Sequence, residues 1–311
     1  MRVPGRVTLV EVGPRDGLQN EKAPIATADK IAFVDRLSAA GHAVIEVSAF
    51  VSPKWVPQMA DAQPVFAGIT RKPGVRYTAL VPNRAGLERA LASGVTEVAI
   101  FAAASETFSR RNINQSIDES LATYKIVCGD ARAAGVGVRG YLSTCFFCPF
   151  EGAIAPSRVA EVAARLLDLG VFEVVVSDTI GAATPGDVLH VLGAVGERLP
   201  LHQVALHFHD TRGTALANVL AGLDYGVTTF DSSAGGLGGC PYAPGAAGNL
   251  ATEDLLYMLN GLGIGTGVSI DAVASASRFI ETKLDHALPS RFLQAPPIPR
   301  LKPGAISSTE D

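Results

Sequence analysis

The stretch 204–232 reads VALHFHDTRGTALANVLAGLDYGVTTFDS, and it contains an apolar run, a turn, an Ala/Leu-rich segment and a second apolar run. This pattern predicts a strand over Val204–His209, a helix over Gly213–Tyr225 and a strand over Thr228–Ser232. A strand, a helix and a strand in that order are typical of one parallel βα unit. The number of such units in the chain therefore indicates the fold class.

The same alternation continues along most of the chain and gives about eight strands. The other predicted strands are Val7–Val12, Val44–Ser48, Val75–Leu80, Val95–Phe101, Gly137–Ser143 and Glu173–Ser177. The other predicted helices are Thr27–Ala40, Ala60–Ile69, Arg84–Ser93, Ser116–Ala134, Pro156–Leu169, Pro185–Leu199 and Leu250–Leu262. Eight βα units predict an α/β fold of the (β/α)8 TIM-barrel class.

A doubly wound open sheet is the alternative fold. That fold usually carries a glycine-rich first turn with the pattern G-x-G-x-x-G. The first turn here, Gly13–Gly17, reads GPRDG and lacks the pattern. Several predicted strands are also almost entirely apolar, as expected for parallel strands covered on both faces. We therefore favour the barrel.

The barrel does not account for the whole chain. Further helical segments follow Gly263 up to about Ala287, and a proline-rich and polar end follows them. We expect residues 1–287 to form the barrel with an additional C-terminal helical segment, and residues 288–311 to form a loosely ordered tail.

Composition excludes several classes of function. Of the 311 residues, 48% are apolar and 18% charged, which supports a packed core and excludes a disordered chain. A net charge of −4 gives no basic surface for nucleic acid. Turn residues interrupt every apolar run before it reaches the length of a membrane span, and no apolar signal segment follows Met1. We expect a cytoplasmic protein with a small-molecule partner.

Several polar residues end or follow the predicted strands, where barrel enzymes place their catalytic groups. They are Arg15, Asp16, Glu46, Asp178, His207, His209, Cys240 and Asn249. Because the carboxyl ends of all strands meet at one mouth of a barrel, we expect these residues to converge there.

His207 and His209 give the strongest local signal. Residues two apart on a strand point to the same side, so both imidazoles should face the barrel interior. Together with Asp16 and Asn249 they form a mixed nitrogen and oxygen set that suits Mg²⁺ or Mn²⁺. The alternative is a pair of hydrogen-bonded core histidines, with Asp16 and Asn249 as ordinary turn residues.

Arg15 and Cys240 are candidates for chemistry beside such a cation. The planar guanidinium of Arg15 suits a carboxylate or an enolate oxygen, although an arginine in a turn is also a common surface ion-pair partner. Cys240 lies in a loop rich in glycine and proline, where a thiol can act as an acid or a nucleophile. Cys145 and Cys148 lack the partners of a zinc site, and we interpret them as two packed thiols rather than a redox pair.

Long motifs in this chain resemble the 3-hydroxy-3-methylglutaryl-CoA lyase family. They are LVEVGPRDGLQNE at 9–21, FVSPKWVPQM at 50–59, RNIN at 111–114, RGY at 139–141, CPFEG at 148–152, DTIGAATPG at 178–186, HFHDT at 207–211 and GGLGGCPYAPGAAGNLATED at 235–254. The resemblance runs from about Val7 to Leu262.

The resemblance implies an acyl-CoA lyase that cleaves 3-hydroxy-3-methylglutaryl-CoA into acetyl-CoA and acetoacetate, and a homodimer. It implies a divalent cation held by Asp16, His207, His209 and Asn249. The catalytic residues that it implies are Arg15 for the enolate, Cys240 as the thiol, and Glu46, His207 and Asp178 in supporting or proton-relay roles. The CoA contacts that it implies are Gln19, Lys22 and Asn112.

The chain also departs from the common family pattern. The family commonly has Ser at the positions of Ala49 and Val175, Gly at Phe147 and Ser177, and Tyr at Phe150 and Arg212. Several of these changes make the predicted pocket more apolar, so a larger C3 substituent such as isohexenyl is an alternative. A synthase that condenses acetyl-CoA with a 2-oxo acid and a non-catalytic binding barrel are two further alternatives.

Overall fold

The computed structural model describes residues 3–239 and 248–296, and its centre is a closed barrel of eight parallel strands. The strands are Thr8–Glu11, Val44–Ala49, Arg76–Leu80, Glu97–Ala103, Gly137–Ser143, Glu173–Asp178, Val204–Phe208 and Thr229–Ser232. Each barrel strand pairs with the next one along the chain, and the first pairs with the eighth, with Leu9 opposite Phe230. The predicted barrel is confirmed, and the open-sheet alternative is wrong.

Helices cover the outside of the barrel. They are Thr27–Ala39, Ala62–Gly68, Arg84–Ala92, Glu106–Ile113, Ile117–Ala133, Pro156–Asp168, Pro185–Gly196, Ala215–Tyr225, Thr252–Gly261, Ile270–Glu281 and Arg291–Gln294. Within the two described ranges, no helix is long and apolar enough to cross a membrane.

Two short elements between the barrel strands, and the helix Arg291–Gln294 near the C-terminus, were absent from the sequence prediction. One is the helix Glu106–Ile113, which begins at a Ser105 cap and ends at Asn114 in the left-handed conformation. The other is a two-stranded antiparallel sheet of Phe147–Cys148 and Gly152–Ala153. Neither element is long enough to show a hydrophobic period, which explains why the sequence did not reveal them.

Strand register determines which side chains share the barrel interior. Asp231 lies opposite His207 on the neighbouring strand, and Ser177 lies opposite His207 on the other side. Paired residues on parallel strands point to the same face, so all three side chains face inward. Leu206 and Phe230 pair on the opposite face, where both are fully buried against the helices.

The C-terminal segment packs against the barrel. The helix Ile270–Glu281 buries Val273 and Ile280. Leu288 is also buried, and the Ser290 backbone N–H donates to the Gly235 carbonyl at 3.0 Å. The packed structure therefore extends beyond the boundary expected at residue 287, because the proline-rich end begins with residues that cover the last barrel loop. Residues 297–311 lie outside the described part.

Phe230 fills the buried outer face of the last strand, so we expect that truncating its side chain destabilises the protein strongly. We expect Phe230→Ala to lower the free energy of unfolding by about 3–5 kcal/mol, because the change removes a fully buried ring and leaves a cavity. Urea unfolding followed by circular dichroism measures this loss. Trp55→Ala is the matched control, since Trp55 is 86% exposed and its loss should change little. Equal losses in the two variants would contradict the packing described.

Candidate active site

The first βα loop presents Arg15 and Asp16 at the mouth of the barrel. Gly13–Gly17 forms a tight turn in which the backbone N–H groups of Arg15, Asp16 and Gly17 all donate to the Val12 carbonyl, at 3.1, 2.8 and 3.2 Å. This single acceptor fixes the turn directly after the strand. The two charged side chains are therefore held at the end of the barrel where the predicted site lies.

Arg15 is buried between two carboxylates. Its Nε donates to Glu46 Oε2 at 2.5 Å, and its Nη1 donates to Asp16 Oδ1 at 2.6 Å. Burial alone would lower the pKa of Arg15, but the charges of Glu46 and Asp16 raise it well above its usual value. Arg15 is only 6% exposed, so this ion pair is internal and not the surface pair considered as an alternative.

Asp16, His207 and His209 meet at this mouth. The Nε2 atoms of both histidines lie 4.0 Å from Asp16 Oδ2, and one ligand atom from each residue lies within 4.8 Å of the others. Burial alone would raise the pKa of Asp16, but the charge of Arg15, with smaller contributions from the histidines, lowers it to about 2. Burial, together with the neighbouring His207, lowers the pKa of His209 to about 4. At neutral pH the cluster therefore offers an ionised carboxylate beside a neutral His209 imidazole.

Asn249 reaches the cluster through backbone pairing. It forms an isolated antiparallel bridge with His209, and the Leu250 N–H donates to the Phe208 carbonyl at 3.0 Å. Its Nδ2 donates to Asp16 Oδ2 at 2.9 Å. Among the residues described, Asn249 Oδ1 and His209 Nδ1 are buried polar atoms without a hydrogen-bond partner. The predicted fourth ligand is therefore adjacent to the other three.

Below these residues lies a buried polar network that the sequence analysis did not identify. His207 Nδ1 lies 3.2 Å from Asp231 Oδ2, and Asp231 Oδ1 accepts from Arg139 Nη2 at 2.8 Å. Arg139 also donates from Nε to Glu173 Oε2 at 2.7 Å and from Nη1 to the Tyr141 hydroxyl at 3.1 Å. The sequence did contain a signal for this network, since Arg139, Glu173 and Asp231 lie on otherwise apolar strands. Charged residues are rarely buried there without partners, so these three could have been expected to pair.

Tyr141 connects this network to the residues of the mouth. Its hydroxyl lies 3.4 Å from Glu46 Oε2, and the Arg15 guanidinium carbon lies 5.5 Å from the centre of its ring. Burial raises the pKa of Tyr141 well above its ordinary value, so the phenol stays protonated and can donate. The polar groups named in this and the preceding paragraphs thus form one connected set.

This cluster fits a small divalent cation. Ligands on opposite sides of Mg²⁺ are about 4.2 Å apart, from metal–oxygen distances of about 2.1 Å, and adjacent ones are about 3 Å apart. The 4.0 Å separations from Asp16 Oδ2 lie between these values. The connected set also contains four carboxylates, Asp16, Glu46, Glu173 and Asp231, and two guanidinium groups, Arg15 and Arg139. When all of these groups are ionised, the carboxylates exceed the guanidinium groups by two negative charges, which a cation of charge +2 would balance.

The residues predicted to contact coenzyme A lie at different distances from the ligand cluster. Gln19 Nε2 donates to Asp16 Oδ1 at 2.8 Å, so Gln19 lies beside the ligand cluster. Lys22 and Asn112 are exposed, the first on the loop after the first strand and the second on the helix Glu106–Ile113. Cys240 lies outside the described residues.

Asp178 ends the sixth strand, but its hydrogen-bond partners are backbone groups of the loop that follows and not residues of the ligand cluster. Its two carboxylate oxygens accept from the backbone N–H groups of Ala182 and Ala183, each at 3.0 Å. It lies opposite Phe208 in the strand register, on the face away from His207. Burial raises the pKa of Asp178 despite these hydrogen bonds. The carboxylate thus anchors the loop that follows it.

Cys145 and Cys148 are buried thiols. Cys145 Sγ donates to the Leu142 carbonyl at 2.9 Å, and Cys148 Sγ lies 3.0 Å from Ser105 Oγ. Burial raises the pKa of Cys145 far above its usual value, which disfavours the thiolate that redox and metal chemistry need. The structure therefore agrees with the interpretation of two packed thiols.

Comparisons with known proteins identify the family of this chain. The HMGL-like family model matches residues 6–280. The chain is 52% identical over 294 residues to the hydroxymethylglutaryl-CoA lyase YngG of Bacillus subtilis, which covers 94% of this chain and 98% of the relative. It is 55% identical over 295 residues to the 3-hydroxy-3-isohexenylglutaryl-CoA/hydroxy-methylglutaryl-CoA lyase of Pseudomonas aeruginosa. This alignment covers 95% of this chain and 98% of the relative.

A solved structure shows the same architecture. It is an HMG-CoA lyase from Acenitobacter baumannii in complex with coenzyme A and 3-methylmalate, with a TM-score of 0.91 and 37% identity over 96% of this chain and 97% of the other. These matches confirm the resemblance that the motifs indicated, and the chain belongs to the HMGL-like family.

Proposed function

We propose that this protein is a metal-dependent carbon–carbon lyase that cleaves 3-hydroxy-3-methylglutaryl-CoA into acetyl-CoA and acetoacetate. The observation that carries the proposal is the meeting of Asp16, His207 and His209 within 4.8 Å, with the Arg15 guanidinium 2.6 Å from Asp16. The named lyases among its relatives support it.

Asp16, His207, His209 and Asn249 would hold Mg²⁺ or Mn²⁺. When bound, such a cation makes a substrate hydroxyl that contacts it more acidic. The Asp16 carboxylate is the charged ligand, and its lowered pKa keeps it ionised at neutral pH. The two imidazoles and the Asn249 amide supply neutral ligands.

The reaction breaks the bond between C2 and C3 of the substrate. Loss of the C3 hydroxyl proton turns the C–O bond into the carbonyl of acetoacetate, and the electron pair of the broken bond moves into a thioester enolate. Protonation of C2 then gives acetyl-CoA. Arg15 is held rigidly by Glu46 and Asp16, and we assign its Nη2 as the donor to the enolate oxygen.

His207 and Asp178 are the two groups proposed to take the hydroxyl proton. His207 Nε2 belongs to the ligand set, so this atom cannot bind a cation and accept a proton together. Burial raises the pKa of Asp178, which makes its carboxylate more basic than that of an exposed aspartate. The position of Asp178 counts against it, because the residue faces away from His207 and both of its oxygens accept backbone hydrogen bonds. Neither group is therefore preferred for the relay, and Glu46 is assigned as the residue that positions Arg15.

The coenzyme A part of the substrate is assigned to the loops around the mouth. We assign contacts with it to Gln19, Lys22 and Asn112. Support comes from the solved relative that is in complex with coenzyme A. Cys240 is assigned the return of a proton to C2 of the enolate. The homodimer and the cytoplasmic location stay predictions.

A larger C3 substituent is the second candidate for the substrate. Val175 is fully buried and pairs with Tyr141 and Ala205 on the inward face of the barrel, and Ala49 is buried at the end of the second strand. These apolar side chains suit an alkyl group. The Pseudomonas aeruginosa relative is named for both a methyl and an isohexenyl substrate. The named relatives are lyases, which favours cleavage over condensation or binding alone.

Substrate cleavage tests the function directly. We expect the protein with Mn²⁺ to release acetyl-CoA and acetoacetate from 3-hydroxy-3-methylglutaryl-CoA, and to lose this activity with a chelator until Mn²⁺ is restored. His209→Ala should abolish activity, because it removes a ligand, whereas the exposed His190→Ala should not. Comparing kcat/KM for methyl and isohexenyl thioesters identifies the preferred substituent. No cleavage of either thioester would refute the proposal.

Arg15→Lys tests the role of the guanidinium. Lysine keeps the charge but loses the fixed fork between Glu46 and Asp16, so we expect kcat to fall by about 100- to 1,000-fold. Steady-state kinetics measures the change. Arg36→Lys is the control, because Arg36 stacks on Phe279 on the outer helices. A kcat near that of the unmodified protein would argue against enolate stabilisation by Arg15.

Cys240→Ser tests the thiol. A hydroxyl is a much weaker acid than a thiol, so we expect kcat to fall by about 100-fold or more if the thiol returns the proton. Cys128→Ser is the control, since Cys128 is buried on the helix Ile117–Ala133. Near-full turnover of Cys240→Ser would exclude the thiol as the acid.

A further inference from the structure

The two nitrogens of His207 face different partners. Nε2 lies 4.0 Å from Asp16 Oδ2, on the side of the candidate cation site. Nδ1 lies 3.2 Å from Asp231 Oδ2, on the side of the barrel interior. A neutral imidazole carries one proton, and the nitrogen that lacks it is the one that can bind a cation. The position of this proton therefore decides whether His207 is a ligand.

Asp231 is held in place as a hydrogen-bond acceptor. It is 2% exposed, and its other oxygen accepts from Arg139 Nη2 at 2.8 Å. Arg139 is itself fixed by Glu173 and Tyr141, so its donor direction is set by two further contacts. An ionised carboxylate can only accept hydrogen bonds. The Nδ1 of His207 must therefore be the protonated nitrogen for this contact to be a hydrogen bond.

We infer that Asp231 is a positioning residue for the cation site. It accepts the Nδ1–H of His207, selects that tautomer, and leaves the lone pair of Nε2 directed at the site. Partners of this kind, behind a metal-binding histidine, fix both its ring orientation and its tautomer. The inference rests on the proposed function, because it assumes a cation bound by Asp16, His207 and His209.

The second histidine shows a different arrangement. His209 Nδ1 has no hydrogen-bond partner among the residues described, and the neighbours of its ring are the Asn249 side chain and Asp16, with a backbone bridge to Asn249 behind it. The two imidazoles of the cluster are therefore not equivalent. His207 is oriented through its side chain by a carboxylate, so loss of Asp231 should affect His207 alone.

Asp231→Asn is the variant that tests the inference. Its amide offers one oxygen where the carboxylate offers two, so it cannot accept from both Arg139 and His207. With the oxygen on Arg139, the amide NH₂ faces Nδ1 and favours the tautomer that carries its proton on Nε2. We expect the Kd for Mn²⁺, measured by calorimetry on the metal-free protein, to rise by about 10- to 100-fold. We also expect the ¹⁵N shifts of the His207 ring to report the reversed tautomer.

Glu173→Gln is the matched control. It also replaces one carboxylate partner of Arg139, at 2.7 Å, in the same buried network, but Glu173 does not touch His207. It removes one carboxylate charge, as Asp231→Asn does, so the part of the Kd change that comes from charge alone is common to both variants. Its Kd for Mn²⁺ should therefore rise much less than that of Asp231→Asn, and its His207 tautomer should be unchanged. Equal weakening in the two variants would overturn the inference, because the effect would then come from general loosening of the network.

A measurement on the unmodified protein keeps the inference testable if Asp231→Asn does not fold. The metal-free chain should show His207 protonated on Nδ1, with its signal assigned by its loss in His207→Gln, and a neutral ring with its single proton on Nε2 would overturn the inference. Unchanged Mn²⁺ affinity in a folded Asp231→Asn would also overturn it, while the proposed function would stand. Failure of the unmodified protein to bind Mn²⁺ would overturn both.

Discussion

The burial of opposite charges inside the barrel is the constraint on which this structure depends. Arg15 lies between Glu46 and Asp16, and Arg139 lies between Glu173 and Asp231. Removing one partner of a buried pair typically costs about 3–5 kcal/mol, because it leaves an uncompensated charge. Barrel interiors are usually filled by branched apolar side chains. Here, ion-paired side chains occupy part of that space, and their hydrogen bonds fix their positions. The ion pairs hold the site residues in one arrangement.

This arrangement also explains why the cluster suits a divalent cation. The carboxylates of the connected set outnumber its guanidinium groups, which favours a cation at the mouth, where Asp16 keeps its charge through the neighbouring Arg15. The same excess of negative charge would disfavour an anionic intermediate. The positive charge of the Arg15 guanidinium at the mouth offsets that effect. The connection through Tyr141 means that the proposed ligand residues and Arg15 belong to one network. Ligand geometry and catalysis are thus expected to respond together when that network changes.

Two buried carboxylates on the outer side of the barrel also stabilise the loops at the mouth. Glu11, on the outer face of the first strand, accepts from the backbone N–H groups of Gly13 and Ala234 at 2.8 and 2.9 Å and from Thr252 Oγ1 at 2.8 Å. It therefore joins the loop that carries Arg15 and Asp16 to the loop that follows the last strand. Glu253 reinforces that second loop by accepting from the Gly235 N–H at 2.8 Å. Buried acceptors on the outer side give the site a rigid support.

The sequence by itself determined the barrel and the inward pair of histidines, because strand and helix periods and the alternation of side chains are local properties. It also placed Asp16 and Arg15 at the mouth. Only the tertiary structure decided the partners: Arg139 meets Asp231 across 92 positions of sequence, and Asp178 anchors its own loop instead of the cluster. Such pairings depend on barrel closure and strand register, and a local pattern carries no information about distances between residues on different strands.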